Sequence, residues 1–486
     1  MSGIGAHARA TPDATAIVSM GGSVTFAELD HRQHRLAGVL QDAGLEEGDR
    51  VAVLSRNSVA MLEVVIACLR MAMIPVPLNA LLTEREIGYI LEDSGARWLF
   101  TDRNIDPPPG LEQIVTFGDA YERVILETEP SQLCDHARGR PMHYTSGTTG
   151  VPKGVWIRPY PPKKAARVSA DFIDHWGLSS VDIHLVCSPL THSAPLRYAL
   201  RTMEAGGTVA LQSHFDAAET LAAIDLFNAT TTFMVPTHLE RILALGTKAI
   251  RRHDLSSMRL LVHAGAPIRE GTKRAAIEVF PEGSVWEFYG STEGQATRIS
   301  QGEWLRKPGS VGKPRPGATI EIRDEDGGLL PPGEIGRVWV KDPKADRFQY
   351  WGDRKKTRSA WKAGAFTVGD LGSLDEDGYL FLAGRVDDTI ITGGVNVYPQ
   401  EVEKVLSEHP MVGEVVVYGA PNEEWGQEVR AAVVATGDLD EATLLAWSRD
   451  RLAGFKRPRK IDLVAELDRT ATGKLIRRAP KVASES

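Results

Sequence analysis

The residues best suited to chemistry stand together in one run, Tyr144-Thr-Ser-Gly-Thr-Thr-Gly-Val-Pro-Lys153-Gly154. It holds five hydroxyl side chains, three glycines and one lysine. Glycines let backbone N–H groups turn toward an anion, hydroxyls add donors and lysine adds charge, so the run predicts a phosphate cradle. It is not a Walker A loop, which places four residues between its glycines and then Gly-Lys-Ser/Thr. Here Gly147 and Gly150 are separated by Thr148 and Thr149 alone, and Pro152 precedes the lysine. A plain flexible loop is the alternative, and the density of donors argues against it.

Other segments carry compatible chemistry. Tyr289-Gly290-Ser291-Thr292-Glu293-Gly294 sets a hydroxyl beside a carboxylate, and Mg²⁺ takes hard oxygen ligands, usually only one or two of them from protein. His263-Ala264-Gly265-Ala266-Pro267 offers small residues against which a flat base can lie. Phe366-Thr-Val-Gly369-Asp370, Gly384-Arg385-Val-Asp387-Asp388-Thr-Ile-Ile-Thr-Gly393-Gly394-Val-Asn396-Val-Tyr-Pro399 and Thr470-Ala-Thr-Gly473-Lys474 follow in that order.

In this order the segments resemble the core motifs of the adenylate-forming superfamily, which includes acyl-CoA synthetases, peptide-synthetase adenylation domains and luciferases. The resemblance covers essentially the whole chain and implies a role for each segment. Thr145, Ser146, Gly147, Thr148, Thr149, Gly150 and Lys153 would cradle the β- and γ-phosphates of ATP. Thr292 would contact the α-phosphate and Glu293 would hold Mg²⁺. Gly265, Ala266 and Pro267, with Phe288, Tyr289 and Gly290, would flank the nucleotide. Asp370 would bind the ribose hydroxyls, and Arg385 ribose or phosphate. Asp387 would be the hinge between domains, and Lys474 the catalytic lysine. The sequence departs from the family pattern at Val368, where Thr is usual, and at Ala365, where Trp is common.

The implied activity is ATP-dependent activation of a carboxylic acid to an acyl-adenylate with release of pyrophosphate, then transfer to coenzyme A. Gly393 and Gly394 would leave a passage for the pantetheine arm. Trp425, Phe455, Arg457 and Arg459 resemble the nucleotide-end CoA contacts of the aryl-CoA ligase branch, such as the 4-chlorobenzoate ligases. Aromatic faces can sandwich adenine and arginine pairs well with phosphate; a core tryptophan and solubilising arginines are the plain alternative. Thr191-His192-Ser-Ala-Pro195 resembles the motif whose histidine borders the acyl pocket, in the form found in bacterial bile-acid and aryl-acid CoA ligases. It points to a cyclic, aromatic or medium-size acid, with Leu190, Ala194, Leu196, Thr237, Phe288 and Ile299 as wall residues. Two other readings stay open: an adenylate, of an organic acid or nitrite, passed to an amine or carrier protein, and a nucleotide-binding relic without catalysis.

These residues need a scaffold, and the pattern supplies one. Thr25–Ala43 reads as a helix with Thr25 at its N-cap, and Arg50–Leu54 as a strand. Val59–Met73 reads as a buried helix running into a strand at Ile74–Leu78; Glu63, Arg70, Pro75 and Pro77 interrupt it, so no membrane span is expected. A helix at Glu84–Ser94 and a strand at Trp98–Thr101 follow, and residues 106–140 read as irregular. Strands at Met142–Tyr144, His184–Ser188, Thr208–Leu211, Thr231–Val235 and Leu260–Ala264 continue an α/β alternation. After Pro308 short strands such as Thr319–Arg323 and Gly336–Val340 suggest a β-rich module. The expected fold is α/β: a large N-terminal domain, 1–386, of layered α/β sheets plus that module, and a small mobile α+β domain, 387–486, joined at Asp387.

Composition agrees. The chain has 486 residues, 42% hydrophobic and 25% charged, which excludes a disordered, collagenous or coiled-coil chain. The net charge of −8 argues against a general nucleic-acid or anionic-membrane binder. The stretch from Arg451 onward is nevertheless basic, with ten Lys/Arg against four Asp/Glu; it suits a local polyanion site or a solvated basic helix. Cys68, Cys134 and Cys187 are scattered and make no CxxC pair, so neither a structural zinc nor a disulfide framework is expected. With no secretory signal pattern and no peroxisomal ending, a cytoplasmic location is expected, and a homodimer is left open.

Overall fold

The computed structural model describes residues 2–106, 110–145, 152–344, 346–469 and 475–479. The chain divides into two compact units, Met1–Arg306 with Lys344–Ala360, and Lys307–Pro343 with Trp361–Ser486.

The first unit is built on two parallel sheets. In one, the strands Val285–Gly290, Leu260–His263, Thr231–Met234, Ile183–Val186, Thr208–Leu211 and Thr15–Ser19 lie side by side in that order, all parallel. Gln295–Ile299 and Gly22–Thr25 add antiparallel partners at either end of this run. In the other, Ile74–Leu78, Arg50–Leu54, Trp98–Thr101 and Gln113–Thr116 are all parallel. A three-stranded antiparallel sheet joins His143–Thr145, Lys153–Trp156 and Gln349–Tyr350.

Local chemistry explains the elements. The helix Phe26–Asp42 starts at a capping box in which Thr25 and Glu28 satisfy each other's backbone N–H groups. It buries Leu29, Leu36, Val39 and Leu40. The helix Val59–Arg70 starts at the Ser58 cap and is buried from Met61 to Arg70, so its apolar run is core rather than a membrane span. Among the described residues no helix is long and apolar enough to cross a membrane.

The irregular reading of residues 106–140 is corrected. They contain the strand Gln113–Thr116, paired with Trp98–Thr101, and the helix Asp119–Glu127. That strand is short and only Val115 in it is fully buried, so its identity comes from its neighbour rather than from its own pattern.

One topological feature positions the site. From Ile183–Val186 the chain crosses through the helix Ser193–Glu204 to Thr208–Leu211 on one side. It then returns through Ala217–Phe227 to Thr231–Met234 on the other side. The strand order reverses there, and ligands of open α/β sheets bind in the crevice beyond the carboxyl ends at such a reversal.

In the second unit, Thr319–Arg323, Gly336–Lys341, Asp370–Leu374 and Leu380–Arg385 form an antiparallel sheet. A further sheet is dominated by the long hairpin of Val412–Asn422 and Gly426–Ala435, flanked by Lys460–Leu463 and by the hairpin Ile390–Thr392/Val395–Val397. The helices Pro399–Ser407 and Glu441–Arg449 supply Val402, Leu406 and Leu444 to the core over that sheet. Asp387, the expected hinge, is exposed in a single 3-10 turn, Val386–Asp388, within this unit.

Candidate active site

The two ends of the phosphate run lie on paired antiparallel strands, His143–Thr145 and Lys153–Trp156. Thr145 stands opposite Lys153 in the antiparallel pair that closes its base. Ser146, Gly147, Thr148, Thr149 and Gly150 lie outside the described residues. The Lys153 ammonium is 3.6 Å from the Asp353 carboxylate. A Cβ at Gly154 would stand 3.1 Å from the Met142 sulfur and 3.2 Å from the Tyr144 ring, so glycine lets the hairpin sit close.

Thr292 and Glu293 occupy the tight turn between the strands Val285–Gly290 and Gln295–Ile299. The turn closes by a Ser291 N–H to Gly294 carbonyl bond of 2.9 Å. Gly290 is required there, since a Cβ would lie 2.8 Å from Gln295 Cα. Arg140 donates to the Thr292 carbonyl, and burial holds its guanidinium below the usual arginine range. Glu293 is buried, and the Tyr350 hydroxyl donates to its Oε1 at 2.8 Å. The segment Gln349–Asp353 thus touches both halves of the site, Tyr350 at the carboxylate and Asp353 at the lysine. Among the described residues no group of three or more His, Cys, Asp or Glu is gathered as for a protein-only metal cage. A single oriented carboxylate fits Mg²⁺, which keeps several waters and phosphate oxygens.

Next to this turn, Leu260–His263 ends in buried Ala264, after which Gly265 takes φ +91° and Ala266 and Pro267 are exposed. Phe288, Tyr289 and Gly290 are half-buried on the adjacent strand. Beneath them lies a buried ion pair that no motif announced: Lys273 donates to Glu287, with His263 close by. Burial lowers the lysine and raises the carboxyl.

His192 is half-buried at the N-cap position of the helix Ser193–Glu204. The preceding Thr191 carbonyl accepts from His143 Nδ1 at 2.9 Å, and burial drives the His143 imidazole down to about 3. The expected wall residues separate. Ala194 and Phe288 join an aromatic cluster with Trp176, Tyr198, Phe233 and Ala264. Leu190 and Leu196 pack instead into the core with Val186 and Met203. Thr237 is half-buried and Ile299 fully buried.

In the second unit, Asp370 and Arg385 face each other across paired strands, 3.2 Å apart, and Arg385 also donates to the Val368 carbonyl at 2.8 Å. The unusual Ala365 is fully buried beside Phe366, whose ring meets Trp361 at 5.4 Å. Gly393 and Gly394 make a two-residue hairpin turn with φ 56° and 78°, the conformation in which Gly-Gly is favoured. The Gly393 N–H bonds the Trp425 carbonyl at 2.9 Å, and a Cβ there would stand 2.7 Å from the Trp425 ring. Trp425 and Phe455 are 43% and 44% exposed, so neither is a core residue. Arg457 donates to the Leu452 carbonyl, and Arg459 is exposed. Lys474 lies outside the described residues.

Arg140, Tyr350, Asp353, Tyr198 and Trp176 were not singled out from the sequence. Each sits outside the motifs and reaches the site only through folding; the Gly-Asp turn after Trp351 was the one local hint.

Residues 4–347 match the AMP-binding enzyme family, and residues 401–474 match the AMP-binding enzyme C-terminal domain. The chain is 36% identical over 478 residues to a 2-succinylbenzoate–CoA ligase of Geobacillus kaustophilus, covering 97% of this chain and 95% of that one. It is 34% identical over 496 residues to a fatty acid–[acyl-carrier-protein] ligase of Streptomyces coeruleorubidus, covering 97% and 94%. The structure matches an o-succinylbenzoate CoA synthetase of Bacillus subtilis in complex with its acyl-adenylate intermediate, with a TM-score of 0.87, 30% identity and 99% and 98% of the two chains covered. The chain therefore belongs to the AMP-binding enzymes, on the acyl- and aryl-CoA ligase branch of the adenylate-forming superfamily.

Proposed function

We propose that the chain joins a carboxylic acid to AMP at the expense of ATP and then transfers the acyl group to coenzyme A. The observation that carries this reading is the segment Gln349–Asp353, whose Tyr350 holds the buried Glu293 carboxylate while its Asp353 holds Lys153 at the base of the phosphate hairpin.

In the first step a carboxylate oxygen of the acid attacks the α-phosphorus of ATP, and the bond to pyrophosphate breaks. Two anions meet, so positioning and electrostatic stabilisation are the terms the protein must supply. Thr145, Ser146, Thr148, Thr149 and Lys153 hold the β- and γ-phosphates, Thr292 the α-phosphate, and Asp370 with Arg385 the ribose. Glu293 would hold Mg²⁺, which would neutralise charge on the phosphates. Lys474 stabilises the charge that builds between carboxylate and α-phosphate. In the second step the CoA sulfur attacks the acyl carbon and AMP leaves. The exposed rings of Trp425 and Phe455 and the cations Arg457 and Arg459 favour CoA as the acceptor. The domain boundary and hinge are assigned to Asp387, which would exchange Lys474 for the Gly393-Gly394 turn between steps.

A second acceptor is favoured by one observation, the similarity to a ligase named for an acyl carrier protein. Pyrophosphate release with ATP, Mg²⁺ and a panel of acids, with and without CoA, separates the readings. Thioester formation supports the ligase; pyrophosphate without thioester moves the acceptor to a carrier protein or an amine. A Lys474→Ala variant that adenylates at the full rate removes that residue from the first step.

A further inference from the structure

The turn 188–192 carries the histidine expected to border the acid site, and it closes by a His192 N–H to Pro189 carbonyl bond of 3.1 Å. Two buried side chains that the reaction described above does not use hold this turn from outside. The first is Asn57, three residues beyond the end of the strand Arg50–Leu54. Its amide N–H groups donate to the Ser188 and Gln212 carbonyls, each at 3.0 Å, and its Oδ1 accepts from the Leu190 N–H at 2.8 Å. A carbonyl only accepts and a backbone N–H only donates, so the amide has one orientation, and its two N–H groups and its oxygen are all engaged. Ser188 and Gln212 follow the strands Ile183–Val186 and Thr208–Leu211. Asn57 therefore ties a strand end of one parallel sheet to two strand ends of the other, beside the reversal of strand order.

The second is His143, on the strand His143–Thr145 that leads into the phosphate run. Its Nδ1 donates to the Thr191 carbonyl at 2.9 Å. Because that carbonyl can only accept, the bond fixes a proton on Nδ1. Burial and the nearby Arg140, Arg197 and His192 oppose a positive charge on the ring, so the group that reaches the turn is a neutral imidazole with one donor in place. The turn is thus held at Ser188 and Leu190 by Asn57, and at Thr191 by His143, immediately before His192. Three of five consecutive residues are fixed by side chains from distant segments, which leaves the backbone at His192 little freedom.

We infer that Asn57 and His143 are positioning residues for acid activation: they hold the turn 188–192 in register with the strand that enters the phosphate run. The acid beside His192 and the nucleotide beyond that strand are then presented to each other at a set distance and angle. This rests on the acid-activating reading and adds to it the residues that set its geometry. A misplacement of about 1 Å between reacting groups can cost about a hundred-fold in rate, so a bond remote from the chemistry suffices. Neither side chain is assigned a contact to acid or nucleotide. Their loss is therefore felt in the reaction of the bound partners rather than in the binding of ATP.

The test uses the full chain and whichever acid of a panel gives the fastest pyrophosphate release. Two quantities are read: kcat/KM for that acid, and the dissociation constant of ATP with Mg²⁺ by calorimetry. His143→Leu removes the donor and is expected to lower kcat/KM about ten-fold or more, while the ATP dissociation constant stays within about two-fold. His143→Asn sets an amide N–H at the same bond distance from Cα as Nδ1 and is expected to restore kcat/KM to within about three-fold of the original chain. Asn57→Ser leaves room for water to take up the freed backbone groups; it is judged by the same two readings and serves if His143→Leu folds poorly. A merely structural role would lower ATP binding and catalysis together and would gain nothing from the asparagine. Unchanged kcat/KM in His143→Leu and Asn57→Ser, a parallel loss of ATP binding, or no recovery in His143→Asn overturns the inference while leaving acid activation in place. If no carboxylic acid releases pyrophosphate with the original chain, the acid-activating reading itself falls, and this inference with it.

Discussion

At the scale of single residues, the strongest constraints come from buried polar groups whose partners are distant in sequence. Tyr350 orients the Glu293 carboxylate through one hydrogen bond of 2.8 Å. Groups that orient a metal ligand typically contribute 10–100-fold to metal affinity, so Tyr350→Phe is expected to raise the Mg²⁺ concentration for half-maximal pyrophosphate release by about ten-fold or more. A Mg²⁺ titration of that rate measures it, and an unchanged midpoint would show that Glu293 is oriented otherwise. Lys273 and Glu287 form a buried ion pair close to His263. Removing one partner leaves an uncompensated charge, so Glu287→Gln is expected to cost about 3–5 kcal/mol of stability. Lys273→Met combined with Glu287→Leu is expected to cost much less, because no buried charge remains. Urea unfolding of the two variants tells these cases apart.

At the scale of elements, the Gly393-Gly394 turn shows two demands on one residue. Its φ of 56° belongs to the left-handed region, and the Trp425 ring leaves no room for a Cβ. Gly393→Ala is expected to lose about 1–2 kcal/mol from backbone strain alone, plus the steric clash. In a Trp425→Ala background the clash disappears and the strain remains, so the double-mutant cycle in denaturant unfolding should return a non-zero coupling energy. A coupling near zero would mean that the ring swings aside without cost.

At the scale of the whole molecule, several histidines are folded in neutral. Burial takes His143, His184 and His238 from 6.5 down to about 3, and pushes His263 well below its ordinary value. The unfolded chain protonates these rings as pH falls below 6.5, and the folded chain does not until about 3. Protons therefore favour the unfolded state throughout that window. Stability is full above pH 6.5 and falls as acid is added, by about 1.4 kcal/mol per pH unit for each such histidine. Urea midpoints measured between pH 7 and pH 4.5 check the slope, and His184→Asn should reduce it by the share of one proton. A flat profile would mean that these rings are accessible to protons in the native state.

The sequence alone determined what is local and chemical. The N-cap at Thr25, the strands Arg50–Leu54, Ile74–Leu78 and Thr208–Leu211, and the helix Glu84–Ser94 stand where side-chain periodicity and cap chemistry put them, because those signals act over a few neighbouring residues. The motif order identified the family for the same reason: a phosphate hairpin or a Thr-Glu turn is legible in a short run. What the tertiary structure decided is which distant residues those runs meet. Tyr350 reaches Glu293 and Asp353 reaches Lys153 because Gln349–Tyr350 pairs with Lys153–Trp156. Leu196 and Tyr198, close on one helix, part into different cores because successive positions on a helix face different neighbours. Gln113–Thr116 became a strand only by pairing with Trp98–Thr101. The rings of Trp176, Tyr198 and Phe233 form no motif at all. They come together because two helices and a strand converge, and convergence of distant segments is the information that spacing along a chain does not carry.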